Sequence, residues 1–392
     1  MARLGDIGKI ITGNTPKTSE TLNYSSNDIC FIKPSDILDG EITVINDSEF
    51  YISNHARDKA RILPPKCVLV TCIGIIGKVA INNVECAFNQ QINAIVPDQS
   101  KCLTEYLAYA IQNKQKGMQD IANAPVVPIL NKTQFSEIEI ELPSVEEQTE
   151  VVAKIRAVDG LIFLRKQQLA KFDELIKSRF TEMFGDPIDN PKGLPVKTLK
   201  KLSTLITNGN TPKGGSENYV EKGILFLRSQ NVWRNHIELD DVAYIDESTH
   251  RSLKKSSLKH KDILITKTGR INTENSSLGR AALYLGDDDS ANINGHVYLV
   301  RLDGSVVPEY VVTILTSEAY RKYIRKVCVG GIDKRQINLD QVEDFPIILP
   351  SVDLQEQFAT FVEQVDKSKL EIQKSLEKLE TLKKSLMQKY FG

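Results

Sequence analysis

The sequence contains the same series of short motifs twice, in the same order along its 392 residues. This duplication constrains the fold more than any single motif does, because it predicts two similar structural units in one chain. The offset between matched residues drifts, so small insertions separate the copies, and the largest lies after Gly269, at 270–276. The matched segments are 13–17 with 209–213, 31–33 with 226–228, 66–71 with 261–266, 105–106 with 309–310, 142–145 with 349–352, 147–148 with 356–357, and 184–185 with 391–392.

The first part of each copy has the pattern of a strand-rich globule. Short apolar runs are broken by Gly, Pro, Asn and Asp, which is typical of strands joined by turns. Longer segments with helical character lie within the same globule. The predicted strands include 67–76, 94–97, 262–266 and 297–302, and the predicted helices are 104–112 and 308–326.

The second part of each copy is one long predicted helix. Pro143 and Pro350 disfavour helix at the residue before them, and Ser144 and Ser351 are natural N-caps. Glu147 stands at the capping-box spacing behind Ser144. Apolar residues then recur every seven positions, which favours a left-handed coiled coil. They are Ile155, Ile162, Leu169, Ile176 and Met183 in the first helix, and Phe358, Val365, Ile372, Leu379 and Leu386 in the second.

These patterns predict an α+β fold in four parts. Residues 1–143 form one globule, 144–185 a central long helix, 186–350 a second globule, and 351–392 a C-terminal long helix. Each helix of roughly 40 residues is about 60 Å long. Since each helix can cover the apolar seam of the other, we expect an antiparallel coiled coil. Two strand-rich mixed α/β domains then lie at its opposite ends, related by a pseudo-twofold axis.

Charge and composition narrow the functional classes. The formal net charge is -1, which excludes an indiscriminate polycation but is compatible with local basic patches. Both predicted long helices carry seven basic and seven acidic side chains, as solvated helix faces do. No apolar run reaches the roughly 18–20 residues of a membrane span, and the N-terminal residues lack the apolar stretch of a signal peptide. The six cysteines contain no C-x-x-C pair, which predicts free thiols in a reducing cytoplasm.

The sequence lacks the motifs of an adenine methyltransferase and of a phosphate-binding loop. An adenine methyltransferase needs Asn/Asp-Pro-Pro-aromatic, and the nearest strings, at 123–126 and 190–193, lack it. A phosphate-binding loop would need Gly in place of Cys72 and Ser or Thr in place of Val79, around Gly77-Lys78. We therefore predict no catalytic residue, no metal ligand and no cofactor in this chain.

The duplicated motifs resemble the specificity subunits of type I restriction-modification systems. The resemblance rests on Gly-Asn-Thr-Pro-Lys at the start of each copy, the Phe-Ile/Leu-Lys/Arg strand, Leu-Pro-Ser-Val followed by Glu-Gln, and the long helix ending in Phe-Gly. It covers essentially the whole chain. Two departures are a shorter first globule and the different character of 123–128 and its counterpart 329–334, which suggest that the halves recognise different sequences.

The resemblance implies a role in recognising double-stranded DNA. Each globule would be a target recognition domain for one half of a split site, and the helices would set the unread spacer. The helices would also dock two methyltransferase subunits, and restriction subunits would join that core. Methylation and cleavage would belong to these partners, and the chain would be a cytoplasmic, non-catalytic subunit.

Candidate DNA contacts are polar and basic residues on predicted turns and strand ends. Phosphate contacts position a protein, and Arg, Lys, Asn and Gln can recognise base edges. For every candidate the alternative is a structural turn or an ordinary solvated side chain. The predicted contacts are Asn14, Thr15, Lys17, Lys33, Ser35, Arg57, Arg61, Asn210, Thr211, Lys213, Arg228, Gln230, Asn231, Lys254, Lys267 and Arg270.

Two other functions fit the same patterns. One is a stand-alone pseudo-dimeric DNA-binding regulator, which neighbouring methyltransferase and translocase genes would argue against. The other is a coiled-coil scaffold that binds only protein. A steep loss of DNA affinity with salt would exclude the scaffold, because phosphate contacts release counterions.

Overall fold

The computed structural model describes residues 1–122, 128–212, 214–273 and 275–392. Its contacts divide the chain into two compact units. Unit 1 comprises Met1–Gln167 and Gln373–Gly392, and unit 2 comprises Gln168–Ile372. Each unit therefore contains one globule together with part of each of two long helices.

Unit 1 is built from short strands that form two main sheets. Its strands are β1 (Ala2–Arg3), β2 (Gly8–Thr12), β3 (Ile29–Ile32), β4 (Ile42–Ile45), β5 (Tyr51–Ile52), β6 (Ile62–Leu63), β7 (Val68–Thr71), β8 (Val79–Asn82), β9 (Cys86–Phe88), β10 (Ile92–Pro97) and β11 (Glu139–Ile140). Its helices are α1 (Leu4–Ile7), α2 (Thr104–Asn113), α3 (Gln115–Ile121), α4 (Lys132–Ser136) and the start of α5 (Val145–Phe184).

The sheets of unit 1 have the strand orders β2-β10-β7-β8-β4 and β5-β3-β9-β6, and β1 pairs with β11. Pairing is antiparallel except for β4 with β8 and β3 with β9. Strand β7 is buried along its whole length, as its unbroken apolar run requires.

Unit 2 repeats this plan with additions. Its strands are β12 (Val196–Thr198), β13 (Ser203–Asn208), β14 (Ile224–Leu227), β15 (Ala243–Ile245), β16 (Ile263–Thr266), β17 (Thr268–Arg270), β18 (Ala281–Leu283), β19 (Ala291–Ile293), β20 (Val297–Leu302), β21 (Val329–Gly330), β22 (Lys334–Gln336) and β23 (Pro346–Ile348). Its helices are the end of α5, α6 (Glu247–Ser252), α7 (Pro308–Thr316), α8 (Glu318–Val327), α9 (Leu339–Glu343) and the first half of α10 (Val352–Phe391).

The sheet orders of unit 2 match those of unit 1. The order β13-β20-β16-β18 corresponds to β2-β10-β7-β8, β15-β14-β19 corresponds to β5-β3-β9, and β12-β23 corresponds to β1-β11. A further sheet, β17-β22-β21, pairs the strand at the start of the insertion with two strands between α8 and α9. The predicted α+β fold with an internal repeat is confirmed.

One predicted helix is wrong in its extent. The segment 308–326 forms two helices, α7 and α8, rather than one. The break occurs at Ser317, whose backbone is extended and whose Oγ accepts a hydrogen bond from the backbone N–H of Tyr320 at 3.2 Å. An N-cap of this kind begins a new helix.

Helices α5 and α10 each run without interruption for 40 residues. The backbone N–H of Glu147 donates to Ser144 Oγ at 3.3 Å, and that of Ser144 donates to Glu147 Oε2 at 3.0 Å, so the capping box forms. At the other end of α5, Gly185 has a φ of 81°, a left-handed conformation that glycine adopts without strain.

The two long helices pack antiparallel within each unit. In unit 1 the early α5 residue Asp159 pairs with the late α10 residue Lys383 at 2.7 Å. In unit 2 the late α5 residue Asp173 pairs with the early α10 residue Lys369, also at 2.7 Å. The ends of both helices complete the globular cores, with Phe391 in unit 1 and an aromatic cluster in unit 2. That cluster is Phe180, Phe184, Tyr310 and Phe358.

The heptad positions named from the sequence all lie on the packed faces and are buried or half-buried. A coiled-coil seam has a second core position in each heptad, and the sequence pattern did not predict it because its residues are not uniformly apolar. It holds Val158 and Leu376, but also Lys369 and Lys383, each about one quarter exposed. Each lysine buries its aliphatic stem along the seam and pairs its ammonium group with an aspartate.

A pair of buried glutamines corrects one part of the sequence alignment. Gln148 Oε1 accepts from the Leu103 backbone N–H at 2.9 Å, and Gln355 Oε1 accepts from the Val307 N–H at 3.0 Å. Each amide also donates to the carbonyl of the proline before its helix. Gln148 therefore corresponds to Gln355, and the match of 147–148 with 356–357 is wrong.

Candidate nucleic-acid interface

Glycine at the start of the Gly-Asn-Thr-Pro-Lys motif is required by close backbone packing. A Cβ on Gly13 would lie 2.1 Å from the carbonyl oxygen of Asn89, and one on Gly209 would lie 2.0 Å from that of Ile293. Neither glycine has a positive φ, so space and not backbone conformation selects it. The motif is thereby pressed against the turn that precedes β10 in unit 1 and β20 in unit 2.

That turn carries the matched polar residues at 89–91 and 294–296. Backbone N–H groups of Gln91 and His296 donate to Asn89 Oδ1 at 3.1 Å and Asn294 Oδ1 at 3.0 Å. These are asparagine-closed turns, so both asparagines have a structural role. Thr15 Oγ1 also donates to Gln90 Oε1 at 2.7 Å, which ties the motif to the turn.

Two further segments join the motif and the turn in each unit. The N–H of Cys72 donates to Gln91 O and that of Lys267 donates to His296 O, both at 2.8 Å. The carbonyls of the same two residues accept from Leu130 N and Ile337 N, both at 2.9 Å. We call this four-segment meeting point the loop junction. It comprises segments around 13–15, 72, 89–91 and 130 in unit 1, and around 209–211, 267, 294–296 and 337 in unit 2.

The residues of the two Gly-Asn-Thr-Pro-Lys motifs differ in how far their side chains are exposed to solvent. Asn14 is half-buried and bridges two backbone groups, donating to Lys59 O at 2.7 Å and accepting from Arg61 N at 2.8 Å. Lys17 is exposed, as are Asn210 and Thr211. Lys213 lies outside the described residues.

The strand ends after β3 and β14 form equivalent turns. Asp36 Oδ2 accepts from Lys33 N at 2.7 Å, and Asn231 Oδ1 accepts from Arg228 N at 2.9 Å. Lys33 places its ammonium nitrogen 3.0 Å from the ring centroid of Phe50, and Ser35 is exposed.

Asn231 is enclosed within unit 2, where its side chain is 1% exposed. Its amide donates to the carbonyls of Glu238 at 3.0 Å and Asp241 at 2.9 Å. All of the hydrogen-bonding groups of its side chain are bonded to the protein backbone. Asn231 is therefore not included among the proposed DNA contacts.

Asp241 engages the other two candidates in this segment. Arg228 Nη2 lies 3.1 Å from Asp241 Oδ1, and Gln230 Nε2 donates to Asp241 Oδ2 at 2.6 Å. The hydrogen bonds from Gln230 and then from Arg228 lower the pKa of the Asp241 carboxyl, so it is ionised at neutral pH. A DNA acceptor that used Arg228 or Gln230 would have to displace this carboxylate.

The remaining basic candidates are on the surface or close to it, and several are paired. Arg57 contacts Glu85 at 2.7 Å, and Arg61 donates to the carbonyl of Thr12. Lys254 is exposed. Lys267 is half-buried, with its ammonium nitrogen 5.8 Å from the Tyr298 ring centroid, and Arg270 on β17 lies 3.3 Å from Asp333.

Sequence reasoning missed Arg280 and Trp233. The guanidinium carbon of Arg280 lies 3.8 Å from the centroid of the Trp233 ring, and Arg280 is 8% exposed. Burial and the nearby Arg234 lower the pKa of Arg280. The signal available in the sequence was the repeat itself, because Gly77-Lys78 before β8 matches Gly279-Arg280 before β18.

The described residues give no sign of a metal centre, since no group of three or more His, Cys, Asp or Glu among them could hold an ion. All six cysteines are free, and burial raises the pKa of Cys67 to about 11 and of Cys86 to about 12. Thiols with such pKa values are unreactive at neutral pH. None of the helices in the described part of the chain is long and apolar enough to cross a membrane.

Comparison with known proteins shows which proteins this chain is similar to. Residues 1–172 match the family described as Type I restriction modification DNA specificity domain. The Type I restriction enzyme MjaIX specificity subunit of Methanocaldococcus jannaschii is 26% identical over 409 residues, covering 99% of this chain and 91% of the relative. The HindI specificity subunit of Haemophilus influenzae is 34% identical over 149 residues, covering 37% of this chain and 32% of the relative.

Solved structures share the fold along the whole chain. The S subunit of a type I restriction-modification system from M. genitalium has a TM-score of 0.57 at 12% identity, covering 100% of this chain and 95% of its own. A chain from a study of assembly and conformational transition of the type I R-M system also has a TM-score of 0.57, at 16% identity and with 100% and 96% coverage. The fold and the two loop junctions define a duplicated chain with paired long helices. Its first 172 residues are similar to the type I restriction modification DNA specificity domain, and its whole length is similar to the MjaIX specificity subunit.

Proposed function

We propose that each unit recognises one half of a bipartite double-stranded DNA target through its loop junction. The observation that carries this proposal is the presence of the same junction in both units, held by equivalent backbone hydrogen bonds. Each junction and the strand end beside it offer donors to solvent, including Lys17 and Ser35 in unit 1 and Thr211 and Arg270 in unit 2. Such groups suit phosphate and base-edge contacts.

The residues around the two junctions differ, which supports recognition of two different half-sites. Strands β17, β21 and β22 add a basic sheet to unit 2, with Lys334 and Arg335 beside Arg270. The corresponding part of unit 1 includes 123–127, which lie outside the described residues.

The long helices would set the spacer between the half-sites and dock two methyltransferase subunits, with restriction subunits joining the complex. Support comes from their uninterrupted length and their antiparallel contacts in each unit. The chain would itself be non-catalytic and would act in the cytoplasm, where its DNA substrate is. The purified chain, given duplex DNA and a methyl donor, should transfer no methyl group.

In vitro selection tests the proposal directly. The full-length chain is incubated with a library of randomised duplexes, and the bound fraction is sequenced. We expect two short blocks of fixed sequence separated by a gap of fixed length and free sequence. A single uninterrupted block would contradict the bipartite proposal, and enrichment of no sequence would contradict DNA recognition by the chain alone.

Copurification with its partners separates a restriction-modification subunit from a stand-alone regulator. The tagged chain should retain methyltransferase subunits when they are expressed together. Failure to retain them, combined with a normal selected motif, would favour the regulator.

A further inference from the structure

The guanidinium of Arg280 is held in a fixed plane. It stacks on Trp233 at 3.8 Å, Nε donates to Ser276 O at 3.1 Å, and Nη2 donates to Asn275 O at 2.5 Å. Stacking on an aromatic ring together with two hydrogen bonds to backbone carbonyls removes most of the rotamer freedom of an arginine. The side chain is therefore pre-organised before any ligand binds.

The charge of Arg280 has no carboxylate partner among the described residues. The charged group that acts on it is another cation, Arg234, which itself lies near Arg321, Glu318 and Arg325. A buried cation without an anionic partner costs free energy, which the two loop carbonyls offset only in part. A ligand that brings hydrogen-bond acceptors would complete the site.

Arg280 lines a pocket of about 330 Å³ in unit 2 that is open to solvent. Its walls combine the aromatic ring with cationic, amide and hydroxyl groups that can donate hydrogen bonds. They include Ser229, Gln230, Trp233, Arg270, Ser277 and Arg280. This chemistry suits the acceptor edge of a base more than an apolar ligand.

Unit 1 shows another use of a basic residue at the same place. Lys78 precedes β8 as Arg280 precedes β18, and its ammonium donates to Pro34 O at 2.6 Å and to Ile37 O. Those carbonyls belong to the loop after β3, the counterpart of the loop that carries Trp233. The ammonium group of Lys78 therefore binds the loop after β3, whereas Arg280 also lines an open pocket.

We propose that Arg280, oriented by Trp233, recognises a guanine in the half-site of unit 2 through paired hydrogen bonds to O6 and N7. Arginine with guanine is the commonest specific contact in the major groove, and it needs the planar fork that stacking fixes here. A backbone phosphate is the competing ligand. The guanidinium fork matches phosphate as well. We favour the base because Arg280 is only 8% exposed and lies in a pocket beside an aromatic ring and amide and hydroxyl groups. This inference rests on the proposed function and assigns a specificity residue within it.

The test compares Arg280→Lys with wild type in the same selection from randomised duplexes. Lysine keeps the charge and is accommodated at the equivalent position in unit 1, but it loses the planar fork. We expect one guanine to disappear from one half of the motif, while every other position is retained. In direct binding, wild type should prefer guanine at that position by about 10- to 100-fold, and Arg280→Lys should lose most of that preference.

Trp233→Leu and Lys200→Ala complete the set. Trp233→Leu should weaken the preference at the same base pair, because it removes the support of the guanidinium plane. Lys200→Ala changes a basic residue of unit 2 that pairs with Glu343 and does not line the pocket, so it should leave the motif unchanged.

The outcomes are distinguishable. An unchanged motif with uniformly weaker binding would overturn the guanine contact in favour of a phosphate or structural role. Loss of a whole half-site from Arg280→Lys would indicate an unfolded unit 2, and Trp233→Leu then decides: a retained half-site with the wild-type guanine preference would overturn the inference. If wild type selects no sequence, the proposed function fails and this inference falls with it. A wild-type motif in which Arg280→Lys alters no guanine overturns this inference alone.

Discussion

At the scale of single residues, the Gly-Asn-Thr-Pro-Lys motif owes its glycine to crowding. A Cβ on Gly13 would meet carbonyl oxygens of the turn at 2.1 and 2.4 Å. We expect Gly13→Ala to lower the free energy of unfolding by about 1–3 kcal/mol, because the backbone must move apart. Thermal or urea unfolding of the full chain measures it.

The matched control for this variant is Gly117→Ala in α3, where a Cβ would meet no atom within 4 Å. Alanine in a helix should be neutral or stabilising there, by up to about 1 kcal/mol. Equal stability of the two variants would show that the backbone around Gly13 accommodates a Cβ at little cost, which would contradict the steric explanation for this glycine.

Asp241 gives a second residue-scale prediction. Its carboxylate is 78% exposed and accepts hydrogen bonds from Arg228 and Gln230. Because these bonds lower its pKa, the carboxyl stays charged as pH falls to below its ordinary pKa, and the pairing persists at neutral pH. Asp241→Asn should raise affinity for unrelated duplex DNA about two- to tenfold at low salt, since it removes a charge that repels phosphates.

Fluorescence anisotropy at low and high salt checks this effect, which should vanish at high salt because screening removes it. Asp189→Asn makes the same charge change at an exposed site outside the junction and should leave affinity unchanged. An identical gain from both variants would mean that only net charge matters.

The sequence could identify the polar residues of the junction but not their partners. Asn231 was a reasonable candidate by residue type, yet the carbonyls that enclose it come from a loop seven to ten residues later. Arg280 had no motif of its own, because its meaning depends on Trp233, which is distant in sequence. Side-chain identity is local information, whereas burial depends on tertiary contacts.

At the scale of elements, the buried glutamines join each long helix to its globule. Gln355 is 1% exposed, and its loss would leave the Val307 N–H and the Pro350 carbonyl without their partner. We expect Gln355→Ala to cost about 1–3 kcal/mol in urea unfolding. Gln357→Ala, two residues on and exposed, should stay within about 0.5 kcal/mol of wild type. A larger loss of stability from Gln357→Ala than from Gln355→Ala would instead support the match of 147–148 with 356–357.

Phe391 tests the antiparallel packing of the helices. It lies at the end of α10 but is buried in the core of unit 1, with its ring centroid 5.0 Å from that of Tyr106 on α2. Phe391→Ala should destabilise unit 1 by about 3–5 kcal/mol. Hydrogen exchange followed by mass spectrometry should show faster exchange in α2 than in wild type.

The complementary variant is Phe184→Ala at the end of α5, which is buried in the core of unit 2. It should accelerate exchange in α7, which carries Tyr310, and leave α2 protected. Faster exchange in the opposite units would be incompatible with the antiparallel arrangement.

Element boundaries show where sequence patterns succeed. Proline, a serine cap and heptad spacing indicate both long helices, since all three signals are local. The break between α7 and α8 was missed because Ser317 is an N-cap only when the chain turns there. Strand β17 was missed because its partner, β22, lies more than sixty residues further along the chain.

At the scale of the whole molecule, most of the fold could be predicted from the sequence repeat. Matched motifs predicted two similar globules, and the corresponding sheet orders confirm this. The repeat could not predict the sheet β17-β22-β21, because the insertion at 270–276 has no counterpart and residues 329–334 differ in character from their counterpart 123–128. The parts of the chain that differ between the copies are also those in which we place the difference in recognition.

The proposed role of the helices in setting the spacer predicts the effect of shortening both by one heptad. Residues 163–169 of α5 and 373–379 of α10 are each centred between the salt-bridged residues, Asp159 and Asp173 on one helix and Lys369 and Lys383 on the other. Removing seven residues from each keeps the heptad phase and the antiparallel register. It shortens each helix by about 10 Å, which is about three base pairs of duplex.

We expect the selected gap between half-sites to shorten by about three base pairs, with both half-site sequences unchanged, because the two recognition surfaces are not altered. A matched variant that lacks only four residues from each helix should unfold at lower temperature, because it takes the seam out of phase. Selection from randomised duplexes reports the gap and both half-sites in one experiment. A shortened chain that selects the wild-type gap would show that the spacer is set elsewhere, by the partner subunits or by the DNA.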